Sequence, residues 1–124
     1  MSTYKQQLLD RLVDDGWEHT ESIEIDEWWA EACWRLRSTK QHWGLELFIT
    51  FLVDPQWDGA HTGEKPPIWA IVATEQLLDT WRPTEKVALL SMSKRHFAAK
   101  LDEFALTLGA FRNAQFASDI ESDN

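Results

Sequence analysis

Trp43-Gly44-Leu45-Glu46-Leu47-Phe48-Ile49-Thr50-Phe51-Leu52-Val53 is the stretch that decides the architecture. Its β-branched and aromatic residues favour extended chain. Leu45, Leu47, Ile49, Phe51 and Val53 fill one face, and Phe48 and Leu52 make the other partly apolar. A strand apolar on both sides belongs in the middle of a sheet, with a helix over one face.

Working outward, Lys40–Gly44 closes a hairpin back to an earlier strand. Residues 26–38 support two readings. Asp26 and Glu27 suit a helix start and Arg35 and Arg37 a helix end, yet Trp28, Ala30, Ala32, Trp34 and Leu36 alternate as in a strand. A short helical turn at 26–30 followed by a strand at about 31–38 reconciles them. Trp17–Ile25 alternates imperfectly, with Glu18, Thr20, Ser22 and Glu24 on a wet face. Before it, Thr3 and Gln6 have the spacing of a capping box, Leu8, Leu9, Leu12 and Val13 recur at helical spacing, and Gly16 sits where a helix stops. A helix over about 4–15 follows.

On the other side, residues 54–67 hold two glycines and three prolines without periodicity, a long connection for a small domain. Residues 68–74 read as a strand, 75–81 as a short helix capped by Thr74 with Leu77, Leu78 and Trp81 inward, and 87–92 as a last strand. Ser93 opens a long helix to about Arg112, with Phe97, Leu101, Phe104, Leu108 and Phe111 as its apolar stripe. The sum is an α+β fold. It is a single two-layer domain at 1–112, an antiparallel sheet of four to five short strands with an N-terminal and a long C-terminal helix on one face. An acidic, loosely ordered tail is expected at 113–124.

Composition narrows the function. The chain has 124 residues, with 21 acids against 12 bases and a net charge of −9. That balance argues against nucleic acid, whose phosphates need Lys and Arg, and against anionic membranes. A helix, three strands and a helix is also the order of the double-stranded-RNA-binding module, but that module requires basic surface. The run 45–53 is too short to span a bilayer, and the N-terminus lacks the apolar stretch of a secretory signal. A single cysteine, Cys33, excludes an internal disulfide and suits a reducing compartment, so a cytoplasmic setting is expected.

No motif carries chemistry. His61-Thr62-Gly63-Glu64-Lys65-Pro66 resembles the linker between tandem C2H2 zinc fingers, but one cysteine cannot build a finger. The surrounding glycines miss the spacing of a phosphate-binding loop. Asp54, Asp58, His61 and Glu64 are potential metal ligands, but their spacing matches no calcium loop and no histidine pair lies one helical turn apart, so a solvated polar loop is the preferred reading. No nucleophile–base signature surrounds any Ser, Thr or Cys. The expectation is no catalytic residue, no metal and no cofactor. Ser93, Lys94 and Arg95, at the start of the long helix, could offset an internal acid or hold an external anion.

Two features remain. The chain has eight tryptophans, all in its first two-thirds. Between Asp10 and Glu31 lie nine carboxylates against Arg11 alone. Together they suggest a small interaction or regulatory module docking a basic or amphipathic protein partner, an immunity-type neutraliser of a basic toxin being one concrete form. The contact residues expected are Glu21, Glu24, Glu27, Trp28, Trp29 and Trp57. Trp28 and Trp29 cannot share a face, so one belongs to the core. The alternative is a small-molecule-binding domain, enzymatic or not, with indoles lining a pocket between sheet and helices. A third reading has the indoles only packing. Oligomeric state is not legible.

Overall fold

A computed structural model describes residues 3–40, 43–54, 68–80, 83, 85–92 and 96–122. The elements run α1 (Tyr4–Asp14), β1 (Trp17–Ile23), β2 (Ala30–Ser38), β3 (Glu46–Val53), β4 (Ile68–Thr74), β5 (Ala88–Ser91) and α2 (Phe97–Ser122). The five strands form one antiparallel sheet in the order β1-β2-β3-β4-β5, so each strand pairs with its chain neighbour. The expected α+β, two-layer architecture is the one observed.

β3 is central because both its faces are apolar, and every residue from Ile49 to Val53 is buried. Register then builds one continuous face. Leu36 lies opposite Leu47, Trp34 opposite Ile49, Phe51 opposite Ile71, and Ile71 opposite Leu90. Leu8 and Leu12 of α1 and Leu101, Phe104 and Leu108 of α2 cover that face. Each fully buried side chain of this kind contributes about 1.5–3 kcal/mol.

Among the described residues, no helix covers the opposite face. Its apolar half is closed by connections. Trp29 packs on Leu52 and Val72 with Ile25, Ala30 and Leu78 around it, a second and smaller core. Its other half is a charged ladder, described below.

Thr3 caps α1 through its side chain, accepting the Gln6 N–H at 3.2 Å. The helix ends at Gly16, whose φ of +89° is open to glycine and strained for other residues. A Cβ there would also come within 2.5 Å of the Lys40 side chain.

Four expectations need correction. The segment 75–80 forms bends rather than a helix. So short a helix is poorly nucleated. Thr74 Oγ1 instead donates to the Gln76 carbonyl at 2.6 Å, and Leu78 is drawn into the second core while Leu77 stays exposed. α2 begins at Phe97 rather than Ser93, with His96 in the left-handed region at φ 60° and its carbonyl accepting the Lys100 N–H. The helix also continues past Arg112 to Ser122, through a segment without glycine or proline to stop it. β1 ends at Ile23, two residues early, because Ile25 turns into the second core.

Candidate docking surface

The acidic block divides once the strands are in register. On the helix-free face, Glu18 pairs with Arg37 at 2.8 Å. Arg35 lies between Glu21 (3.3 Å) and Glu46 (2.5 Å), with its guanidinium 5.9 Å from the centre of the Phe48 ring. The two carboxylates hold the Arg35 pKa up. Glu31 pairs with Lys5, and Asp15 with Arg11, which also reaches Asp102. Exposed pairs like these add little stability, but they neutralise the charge locally. Glu24, Asp26 and Glu27 differ. All three are exposed, and among the described residues no ion pair engages them.

These three acids lie just before the two adjacent tryptophans in the chain, and the local backbone separates the rings. The Ala30 N–H donates to the Glu27 carbonyl at 3.3 Å, closing a single turn, and the Val53 N–H donates to the Trp29 carbonyl at 2.9 Å. That second bond pins Trp29 to the end of β3 with its ring in the smaller core, only 4% exposed. Trp28 is thereby turned outward and is 60% exposed. Glu24, Glu27 and Trp28 therefore share one connection, whereas Glu21 belongs to the ladder and Trp29 to the core.

The other indoles are dispersed. Trp17 is buried, and Trp34 packs edge-on against Phe51 at 4.8 Å with His19 beside it. Trp69, at the start of β4, lies at the same end of the sheet as Trp28 and is 39% exposed. Trp43 is exposed on the β2–β3 turn, at the opposite end. Trp57, Ser93, Lys94 and Arg95 lie outside the described residues, as do Asp58, His61, Glu64 and Trp81. Among the described residues no three His, Cys, Asp or Glu side chains gather in a metal-binding arrangement.

One important residue escapes sequence reasoning. Arg112 is buried and donates to the Asp15 carbonyl at 2.7 Å and the Gly16 carbonyl at 3.0 Å, with Ser38 Oγ at 3.4 Å. Its guanidinium lies 4.7 Å from the centre of the Trp17 ring. Burial lowers its pKa. The available signal was a cation four residues after Leu108, continuing the apolar stripe of α2.

Trp17, Leu36, Ile49, Phe51 and Phe104 pack together in the space between sheet and helices. A groove of about 1040 Å³ lies elsewhere, between the β4–β5 connection and α2. No indole lines it among the described residues.

Cys33 is buried on the helix-free face and accepts a hydrogen bond from Thr50 Oγ1 at 3.6 Å. Burial pushes its thiol pKa up, and the Thr50 contact only partly opposes this. The native thiol is therefore expected to react with a disulfide reagent near neutral pH much more slowly than in the denatured chain. Equal rates would contradict the assignment. A raised thiol pKa places its stabilising contribution below the unfolded value, to be lost as pH rises through the folded one. Cys33→Ala should flatten that alkaline decline.

Comparison of the chain with protein-family models, curated proteins and solved structures finds no significant match.

Proposed function

We propose that this chain is a small cytoplasmic interaction module that docks a basic or amphipathic protein partner through its Trp28 end. A basic toxin is one such partner. The observation that carries the reading is the exposed Trp28 ring flanked by Glu24, Asp26 and Glu27, three carboxylates that the chain's own described cations leave unpaired. An indole face attracts Arg or Lys, and neighbouring carboxylates strengthen that attraction and steer encounter. Tryptophan at the centre of such a patch is a frequent binding hot spot.

The ion-pair ladder supports the choice of this end over β1, because Glu18 and Glu21 already have partners. No helix of the described residues is long and apolar enough to cross a membrane.

The test is affinity for a partner recovered by crosslinking at this end. Trp28→Ala is expected to weaken binding by about thirtyfold, equivalent to about 2 kcal/mol. Glu24→Lys with Glu27→Lys should slow association and reduce its salt dependence. Glu18→Gln, within the ladder, should change neither. If the Trp28 and Glu24/Glu27 variants bind like the parent, the docking reading is wrong.

A further inference from the structure

We infer that the outer edge of β1 accepts an extended, lysine- or arginine-bearing segment of a partner protein as an added strand of the sheet. This edge binds through main chain and is a different surface from the Trp28 ring, so it does not depend on that reading.

The strand order leaves β1 at one margin of the sheet, and residues 3–40 around it are all described. The direction of its main-chain groups follows from the register. The Ser38 N–H donates to the Leu45 carbonyl at 2.8 Å and the Gly44 N–H to the Ser38 carbonyl at 3.2 Å, so Ser38 directs both groups to the β3 side. Alternation then turns Arg37 toward β1, where it meets Glu18. By the same alternation the N–H and C=O of His19 point away from β2. Thr20 and Glu21 together face Arg35 in a bulge, which makes Ser22 the next outward residue. Among the described residues no main-chain group bonds those of His19 or Ser22 on that side. Thr20, Glu21 and Ser22 are exposed. The helix α1 is drawn over the middle of the sheet instead, since Tyr4 packs on Phe51 and Lys5 pairs with Glu31.

The helix-free face supplies the chemistry of the occupant. Charge alternates across it from strand to strand, with Glu46 on β3, Arg35 and Arg37 on β2, and Glu18 and Glu21 on β1. The outermost column is acidic. Glu21 also shares Arg35 with Glu46, which holds it more closely, at 2.5 Å against 3.3 Å. A cation on an added strand continues the alternation, and opposite charges on neighbouring strands are the stabilising arrangement. Lysine or arginine at every second position would face Glu18 and Glu21. The intervening side chains would meet His19 and Ser22, which hydrogen-bond each other at 3.1 Å, and small polar residues suit that side. Main-chain bonds with side-chain pairing at alternate positions make up the strand-addition mode of recognition.

A second copy is the wrong occupant, because it brings another acidic column to the joint on a chain of net charge −9. Charges and a bulge discourage edge strands from pairing with their own kind. Here they select against this chain's own edge and leave two main-chain positions for a basic strand.

The probe is an end-blocked peptide of alternating lysine and threonine, as long as β1, titrated into the full chain and followed by amide hydrogen exchange. In the free chain the His19 and Ser22 amides should exchange faster than those of Glu18 and Ile23, which bond within the ladder. At saturating peptide His19 and Ser22 should slow by at least about tenfold, with Glu18 and Ile23 unchanged. Ser22→Pro removes one outward donor without touching the β1–β2 pairing and should weaken binding by at least about tenfold. The same loss is expected with the unaltered chain when the peptide is N-methylated at alternate residues, which keeps its charge and removes its donors. Glu18→Gln with Glu21→Gln should also weaken binding, whereas Trp28→Ala should leave it intact, which separates this edge from the Trp28 end. Strand addition is overturned if the N-methylated peptide binds as well as its parent, if His19 and Ser22 gain no protection with peptide, or if they gain it with protein concentration alone.

Discussion

Truncating Trp29 to alanine is expected to cost about 3–5 kcal/mol of folding stability, while truncating its neighbour Trp28 should cost no more than about 0.5 kcal/mol. The rings differ in surroundings rather than chemistry. Trp29 closes the smaller core over Leu52 and Val72, on a face that no helix covers among the described residues. Removing it opens a cavity and exposes those side chains together. Trp28 is already largely in water. Against a typical total stability of about 5–15 kcal/mol, the Trp29 loss would leave a marginal fold. Urea unfolding of the two variants decides the matter, and equal midpoints would refute the division of the pair.

Replacing Arg112 with methionine is expected to destabilise the protein by about 2–4 kcal/mol. Two effects oppose each other. Exchanging a buried charge for an apolar side chain of similar length removes a desolvation cost, and elsewhere such exchanges can stabilise. Two buried donors, Trp17 Nε1 and Arg112 Nε, lack an acceptor among the described residues, and methionine relieves one of them. The partners of Arg112 decide the sign. The Asp15 carbonyl is main chain and cannot be substituted away, so methionine leaves it without its donor, whereas the Gly16 carbonyl keeps the Thr39 N–H at 2.8 Å. The cation also sits at the C-terminal end of α1, where the helix dipole favours it. Arg112→Lys should fall between, since one ammonium cannot bond both carbonyls and also stack on Trp17 as a planar guanidinium does. Denaturant unfolding of R112M with no loss of stability would show that desolvation dominates.

The parts of the fold legible in the sequence are those where pattern and packing agree. The run from Leu45 to Val53 reads as a central strand because both its faces are apolar, and Thr3 and Gly16 mark the ends of α1 by local chemistry alone. The segment 75–80 reads as helix in the sequence because Leu77 and Leu78 look like a helical pair. Only the position of Trp29 and Val72 determines which leucine turns inward. The candidate site was legible in outline. Glu24, Glu27 and Trp28 stand out by type and spacing, but the division of the acidic block depends on cross-strand register. Glu21 meets Arg35 and Glu18 meets Arg37 only after β1 pairs with β2. Arg112 was hidden for the same reason, since its acceptors are backbone groups 96 and 97 positions away.

That separation has a kinetic consequence. Neighbouring strands can zip together hairpin by hairpin, whereas the clasp between the last helix and the first turn must wait for nearly the whole chain. Interactions formed so late govern how slowly a protein comes apart more than how fast it assembles. The guanidinium near the C-terminus thus acts as a latch on the finished domain, and its main contribution is to the lifetime of the folded state.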